Sequence, residues 1–306
     1  NKEYLKIKAN KLMGNTINLP FPSVGATENL MMAACLAEGK TIINNAAREP
    51  EIVDLANFLT NMGARIVGAG TPIIKIEGVK EVEATKYKII PDRIEAGTFI
   101  MAAAITKGEV KIKDVIPEHL ASLIEDLKKV GVSINVEPDQ NTINVTGMEK
   151  YKATNITTVP HPGFPTDLQP LLTSLLSLSK GVSTITDSVF PKRFSYVNEL
   201  RRMGADITVV GNSAMVNGVD KLHGAEVSAT DLRAGAALIL AGLAAEGATT
   251  VDHVHHIDRG YEKIDKKLKE LGANVTRIVR SSKRYGVTLR KRTTNSFSGL
   301  IEIGNE

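Results

Sequence analysis

Tryptophan is absent from this 306-residue chain, aromatic residues make up 4% of it, and Cys35 is its one cysteine. Each scarcity closes off a class of protein. A lone cysteine cannot form an internal disulfide, which fits a reducing compartment. With so few aromatic side chains, the mild basic excess of +4 comes without stacking platforms, so no nucleic-acid partner is expected and small anionic substrates suit it better. Long hydrophobic runs are missing as well. The segment Ala236–Ala245 is rich in alanine, broken by glycine, and well short of the ~20 residues that span a bilayer. The opening NKEYLKIKAN has no apolar h-region and no cleavage site. No membrane association is expected, and a cytoplasmic location is. The chain has no GxxxxGK[ST] loop, and GAGTP is too short for a dinucleotide fingerprint, so no cofactor is expected.

What the sequence does contain is repetition. Its length suffices for two ordinary domains, and 42% hydrophobic with 24% charged residues is a globular composition. Four segments share one pattern, an amphipathic helix, a glycine stop and a short alternating strand: EIVDLANFLTNMGARIVG, HLASLIEDLKKVGVSINV, SYVNELRRMGADITVV and EKIDKKLKELGANVTRI. Their glycines, at 63, 131, 204 and 272, are spaced by 68, 73 and 68 residues. Between them runs a second series, apolar on nearly all sides: SVGATENLMMAACLAEGKTII, DRIEAGTFIMAAAITKGEVKI, PTDLQPLLTSLLSLSKGVSTIT and DLRAGAALILAGLAAEGATTV. Helices apolar all round belong inside a domain. The expected fold is therefore α/β: repeated βαβαββ-type units, two lobes, buried helices inside and sheets around them, an inside-out α/β barrel. A boundary is placed near Pro91, where KYKIIPDRIEAG runs from a strand through a proline into the next unit. This gives domains 1–90 and 91–280. After Thr276 the pattern is expected to end, leaving 281–306 as a basic tail whose Lys283, Arg284, Arg290, Lys291 and Arg292 form a solvated segment.

Lining up the buried helices places Ser23, Asp92, Asp167 and Asp231 at their starts. Ser and Asp there ordinarily cap a helix and complement its dipole. Two features add a functional reading. Equivalent positions of stacked units fall on one face, and helix N-termini accept anions. Arginines also accompany them, Arg93, Arg193, Arg233 and Arg259, and guanidinium suits bidentate phosphate or carboxylate recognition. Asp167 stands apart, because Pro162, Pro165 and Pro170 in HPGFPTDLQP stiffen the backbone around it. A rigid acid facing arginines suits a general base for a substrate hydroxyl. The cluster DHVHHIDRG is not taken as a metal site: on a strand, His253 and His255 would share one face and His256 the other. No metal is expected, and Cys35 reads as a core residue.

The strings FPSVGATENLMMAACLAEGKTIINNAAREPEIVDLANFL, PDRIEAGTF, HPGFPTDLQP, VFPKRF, ATDLRAGAALILAGLAAEG and HIDRGYEKIDKKLKELGA together resemble the UDP-N-acetylglucosamine 1-carboxyvinyltransferase family of enolpyruvyl transferases, over about residues 4 to 278. The resemblance implies two lobes of three repeated units each, of which four units are counted here. Residues 1–90 look like a remnant of the first lobe and 91–280 like the second. It implies UDP-N-acetylglucosamine and phosphoenolpyruvate as substrates in peptidoglycan synthesis. Ser23, Val24 and Gly25 resemble the backbone that holds the UDP diphosphate. Asp167 matches the acid at the sugar 3-hydroxyl, and Thr166 and Val189 match its neighbours. Arg193, Asp231, Arg233 and Arg259 match residues gathered around phosphoenolpyruvate. In VFPKRF, Pro191 and Lys192 replace the expected Glu-Asn type pair. The family's N-terminal lysine-asparagine pair, its loop cysteine acid and its loop arginine have no match, nor does the first strand. The tail pattern SGLIEIG is expected as a substitute edge strand for the second lobe. Two other assignments stay open: a UDP-sugar-binding regulator without turnover, and an enolpyruvyl transferase for another acceptor.

Overall fold

The computed structural model describes residues 8–281, 284–291 and 297–303. The chain forms two compact units, one comprising residues up to Ile90 with Pro160–Pro162, the other Pro91–Val159 with Gly163 onward. The first unit runs β1 (Thr16–Asn18), α1 (Val24–Ala34), β2 (Lys40–Asn44), α2 (Pro50–Asn61), β3 (Arg65–Val67) and β4 (Ile73–Glu77). Its sheet has the order β1-β2-β4-β3, the first pair parallel and the others antiparallel. Pro50 opens α2, where its missing N–H has no partner to lose. The helix then buries Ile52, Ala56 and Leu59 in a cluster with Met31, Ile43, Ile74 and Ile76. Only part of α1 is covered: Met32 stays 46% exposed, and Leu36, just past the end of the helix, 52%.

The second unit repeats this pattern three times. The first copy is α3 (Arg93–Ile105), β5 (Glu109–Lys113), α4 (Ala121–Val130), β6 (Ser133–Glu137) and β7 (Thr142–Thr146). The second is β8 (Ile156–Thr158), α5 (Gln169–Leu176), β9 (Val182–Asp187), α6 (Val197–Arg202), β10 (Asp206–Val210) and β11 (Ser213–Asn217). The third is β12 (Glu226–Ser228), α7 (Leu232–Ala244), β13 (Ala248–Asp252), α8 (Ile264–Glu270), β14 (Asn274–Ser281) and β15 (Arg284–Arg290). One strand, β16 (Ser298–Glu302), follows. The helices α3, α5 and α7 pack on one another and each lies on its own sheet. Nearly all of their residues are buried. Buried hydroxyls on these helices donate to backbone carbonyls, Thr98 to that of Ile94 in its own helix and Ser174 of α5 to that of Ala237 in α7.

The surface helices show why the sequence pattern was readable. In α4, Leu123, Ile124, Leu127 and Val130 are buried on one side, and Gly131 ends the helix with φ of +104°, a conformation that costs a residue with a Cβ.

The expected arrangement holds in the second unit, with the buried helices inside and separate four-stranded sheets on them, and no single sheet closes on itself among the described residues. One expectation needs correction: the repeat does not end at Thr276, because β15 lies inside its sheet, between β13 and β14. Its inward Val287 and Leu289 are 1% and 0% exposed while Arg290 faces solvent, so the outward basic residues masked an alternating strand. Lys291 is exposed too, and Lys283 and Arg292 lie outside the described residues.

The SGLIEIG segment does form an edge strand. β16 pairs in parallel with β5, giving the order β16-β5-β7-β6. In the other three sheets the strand preceding the buried helix holds this place, as β1, β8 and β12 do. The approach is close: a Cβ on Gly108, just before β5, would sit 2.1 Å from the Phe297 carbonyl oxygen. Among the described residues no helix is long and apolar enough to cross a membrane.

Phe297, Ile301 and Ile303 are 8%, 5% and 3% exposed, and burial of each is worth about 1.5–3 kcal/mol. Removing residues 297–306 should therefore lower the second unit's Tm by roughly 10 °C or more. Calorimetry showing an unchanged Tm would refute a structural role for β16.

Candidate active site

The four aligned helix starts do not behave alike. In the first unit, Ser23 Oγ accepts from the Ala26 amide at 3.3 Å, and Val24 and Gly25 form the first turn of α1, where helix N–H groups face outward. Gly25 is exposed, and a Cβ there would meet nothing within 4 Å. In the second unit, Asp92 caps α3 through the amides of Ile94 and Glu95 at 2.7 and 3.1 Å. Asp231 caps α7 through those of Arg233 and Ala234, both at 2.9 Å. Asp167 caps nothing. It sits in a 3-10 turn, Thr166–Leu168, ahead of α5, and Pro170 occupies the first turn of that helix.

Freed from capping, the Asp167 carboxylate meets two cations of the second unit, one at each oxygen. Arg193 Nη1 donates to Oδ1 at 2.5 Å, and Arg233 Nη2 donates to Oδ2 at 2.8 Å. The arginine side chains are 20% and 14% exposed, that of Asp167 34%. Burial pushes the Asp167 carboxyl up, but the charges and hydrogen bonds of Arg233 and Arg193 outweigh it and hold the group below the usual carboxylate range. The site therefore presents an ionised carboxylate with solvent access and two guanidinium groups whose remaining N–H donors can take further anionic oxygens.

Each arginine has its own mount. The Asp231 cap fixes the backbone of Arg233 at the start of α7. Its guanidinium lies 5.7 Å from the centre of the Tyr261 ring and donates to Tyr261 Oη at 3.3 Å. Tyr261 Oη in turn meets Thr98 Oγ1 of α3 at 2.8 Å. Arg193 lies 4.9 Å from the Phe190 ring centre and donates to Thr166 Oγ1 at 3.2 Å. The Val189 amide donates to Asp187 Oδ1 at 3.1 Å.

The structure thus brings Thr166, Asp167, Arg193 and Arg233 together, with Asp231 and Val189 one step removed. Asp231 acts on the backbone of Arg233 as a cap. Arg259 is exposed at the end of the 3-10 segment Val254–Arg259. Beside it, Asp258 takes both Nη donors of Arg277 at 3.0 and 2.7 Å, which anchors that segment to β14. His253, His255 and His256 are not on a strand: His253 has φ of +60° and the 3-10 segment follows. His253 meets His255 edge-on at a centroid separation of 5.9 Å, and His255 lies tilted by 36° against His256 at 4.2 Å. Among the described residues no group of three or more metal-ligating side chains is placed to hold an ion.

Three partners escaped sequence reasoning: Asp187, Tyr261 and Phe190. Asp187 ends an alternating strand, TITD, and reads as an ordinary strand end before a loop. The aromatic pair carries no pattern of its own.

A family model described as EPSP synthase (3-phosphoshikimate 1-carboxyvinyltransferase) matches residues 1–268. Among curated proteins, the chain is 56% identical over 274 residues to UDP-N-acetylglucosamine 1-carboxyvinyltransferase 1 of Caldanaerobacter subterraneus, covering 90% of this chain and 66% of that one. It is 54% identical over 275 residues to the UDP-N-acetylglucosamine 1-carboxyvinyltransferase of Nostoc, covering 90% and 61%. Among solved structures, it resembles the enolpyruvyl transferase NikO from Streptomyces tendae with a TM-score of 0.79 at 27% identity, covering 86% of this chain and 65% of that one. The chain thus spans about two thirds of the length of the curated relatives it matches.

A carboxyl whose folded pKa lies below its unfolded value contributes stability that is complete above the unfolded value, about pH 4, and lost as pH falls through the folded value. The Tm advantage of wild type over Asp167→Asn should accordingly be largest near neutral pH and shrink below about pH 4. A difference independent of pH would mean that the arginines do not hold the carboxylate ionised.

Proposed function

Because the chain belongs to the EPSP synthase family of carboxyvinyltransferases, we propose that it takes part in transferring the enolpyruvyl group of phosphoenolpyruvate to the 3-hydroxyl of UDP-N-acetylglucosamine. The observation that carries this reading is the Asp167 carboxylate held between two arginines of the second unit, beside Thr166. The curated relatives at 54–56% identity support UDP-N-acetylglucosamine as acceptor. With this reading come a place in peptidoglycan synthesis, hence in cell shape and division, and a cytoplasmic setting.

The chemistry asks for what the site offers. The acceptor oxygen bonds to C2 of phosphoenolpyruvate while its proton leaves and C3 gains one. C3 then loses a proton as the C2–O bond to phosphate breaks and phosphate departs. Asp167 takes the hydroxyl proton, and Arg193 and Arg233 bind the phosphate and carboxylate charges that arrive with phosphoenolpyruvate. The resting ion pairs make Asp167 a weak base. An arriving anion competes for the same guanidinium groups, and each donor it draws away returns basicity to the carboxylate. Asp231 serves by fixing Arg233, Val189 lines the nucleotide-sugar side, and Arg259 adds a cation on its anchored segment. In the first unit, Ser23, Val24 and Gly25 hold the diphosphate at the helix N-terminus.

Phosphate release from phosphoenolpyruvate plus UDP-N-acetylglucosamine tests the reading, with calorimetric binding of each substrate alongside. Asp167→Asn should reduce release by at least ~10³-fold while changing nucleotide-sugar affinity less than about threefold, as expected for a group acting on the proton in the transition state. Unchanged release would remove Asp167 from the chemistry. Binding of phosphoenolpyruvate without UDP-N-acetylglucosamine would point to another acceptor.

A further inference from the structure

Behind the site lies a carboxylate with no solvent access. Asp187 is 0% exposed, at the end of β9, and both of its oxygens are engaged. Oδ1 accepts from Thr158 Oγ1 at 2.7 Å, the Val189 amide at 3.1 Å and the Phe190 amide at 2.7 Å. Oδ2 accepts from Thr166 Oγ1 at 2.6 Å. Thr166 Oγ1 in turn accepts from Arg193 Nη1 at 3.2 Å, and the same nitrogen donates to Asp167 Oδ1 at 2.5 Å.

A hydroxyl has one proton and two lone pairs. With its proton committed to a carboxylate that can only accept, Thr166 must turn lone pairs toward Arg193. The polarity of this chain is therefore set at Asp187 and read out at Asp167. We propose that Asp187 is a positioning residue of the candidate active site, orienting the Thr166 hydroxyl so that it holds Arg193 against Asp167. Through its other oxygen it fixes the turn that carries Val189 and Phe190, and Phe190 is the ring beneath Arg193. One buried carboxylate thus mounts both the acid's turn and the arginine's turn. The inference rests on the enolpyruvyl transfer reading only for the identity of the ligand, not for the wiring.

Asparagine at this position makes a narrow test. Three donors converge on Oδ1, so the amide oxygen of Asp187→Asn belongs there, and the amide NH₂ is left facing Thr166. The hydroxyl then accepts from the amide and turns its proton toward the Arg193 guanidinium, which it repels. Two readouts follow, with ¹³C-labelled protein for one and calorimetry for the other. In wild type, the Asp167 carboxyl carbon should titrate below the ordinary carboxylate range. In Asp187→Asn its midpoint should move upward, and the Kd for phosphoenolpyruvate, whose charges Arg193 meets, should rise roughly tenfold.

Thr166→Val, which deletes the relaying hydroxyl, should shift the Asp167 midpoint the same way. The double variant should shift it no further than the larger single change, because both act through one hydrogen bond. A lowered Tm with the Asp167 midpoint and Kd unchanged would make Asp187 merely structural and overturn the proposal. If Asp187→Asn does not fold, an unmoved midpoint in Thr166→Val overturns it equally. Failure of wild type to bind phosphoenolpyruvate would sink the functional reading, while the Asp167 titration would still decide the wiring.

Discussion

An acid at the start of a helix has an obvious use, and Asp167 is kept from it. The 3-10 turn before α5 and the proline that opens the helix leave its carboxylate without helix amides to cap, and it faces two guanidinium groups instead. A carboxylate between two cations, each less exposed than itself, is strongly held as an anion yet still open to solvent on one side. The surroundings in the second unit serve to hold that arrangement. Asp231 and Tyr261 mount Arg233, Phe190 and Thr166 mount Arg193, and Thr98 reaches Tyr261 from the neighbouring buried helix. Groups fixed in this way need little reorganisation when charge develops, which is the main route by which electrostatics accelerates a reaction.

The repeat makes such convergence inexpensive. Three copies of one supersecondary unit pack their buried helices together, so the beginnings of α3, α5 and α7 come close without any long loop. Asp92 and Asp231 then act as caps and stabilise the scaffold, while Asp167 caps nothing and pairs with Arg233 instead. The same structural position supports two uses, and the difference lies in the local backbone. Proline rigidity around Asp167 substitutes for the cap that α5 lacks.

The same economy explains β16. A parallel edge strand precedes the buried helix in three sheets, and in the fourth that place is taken by a strand from the other end of the sequence. Sheet hydrogen bonding reads backbone register rather than chain order, so any segment with an alternating apolar face can fill the vacancy. Ile301 turns inward while Leu300 stays 46% exposed, the alternation that an edge strand requires.

From sequence alone, hydrophobic periodicity determined the four repeats, their buried and exposed helices and the glycine stops, because those depend on neighbours three, four or two residues away. It also singled out Asp167, Arg193 and Arg233, since helix starts and arginines are visible as residue types. What it could not yield were relations across the fold. That Asp167 differs from Asp92 and Asp231 depends on which partner the folded chain offers. That β15 continues the repeat depended on Val287 and Leu289 finding an inward face among basic neighbours. That Asp187 lies buried behind Thr166 was decided by packing alone. A buried carboxylate looks like any other aspartate until tertiary structure removes its water and supplies its four donors, and only then does its role become legible.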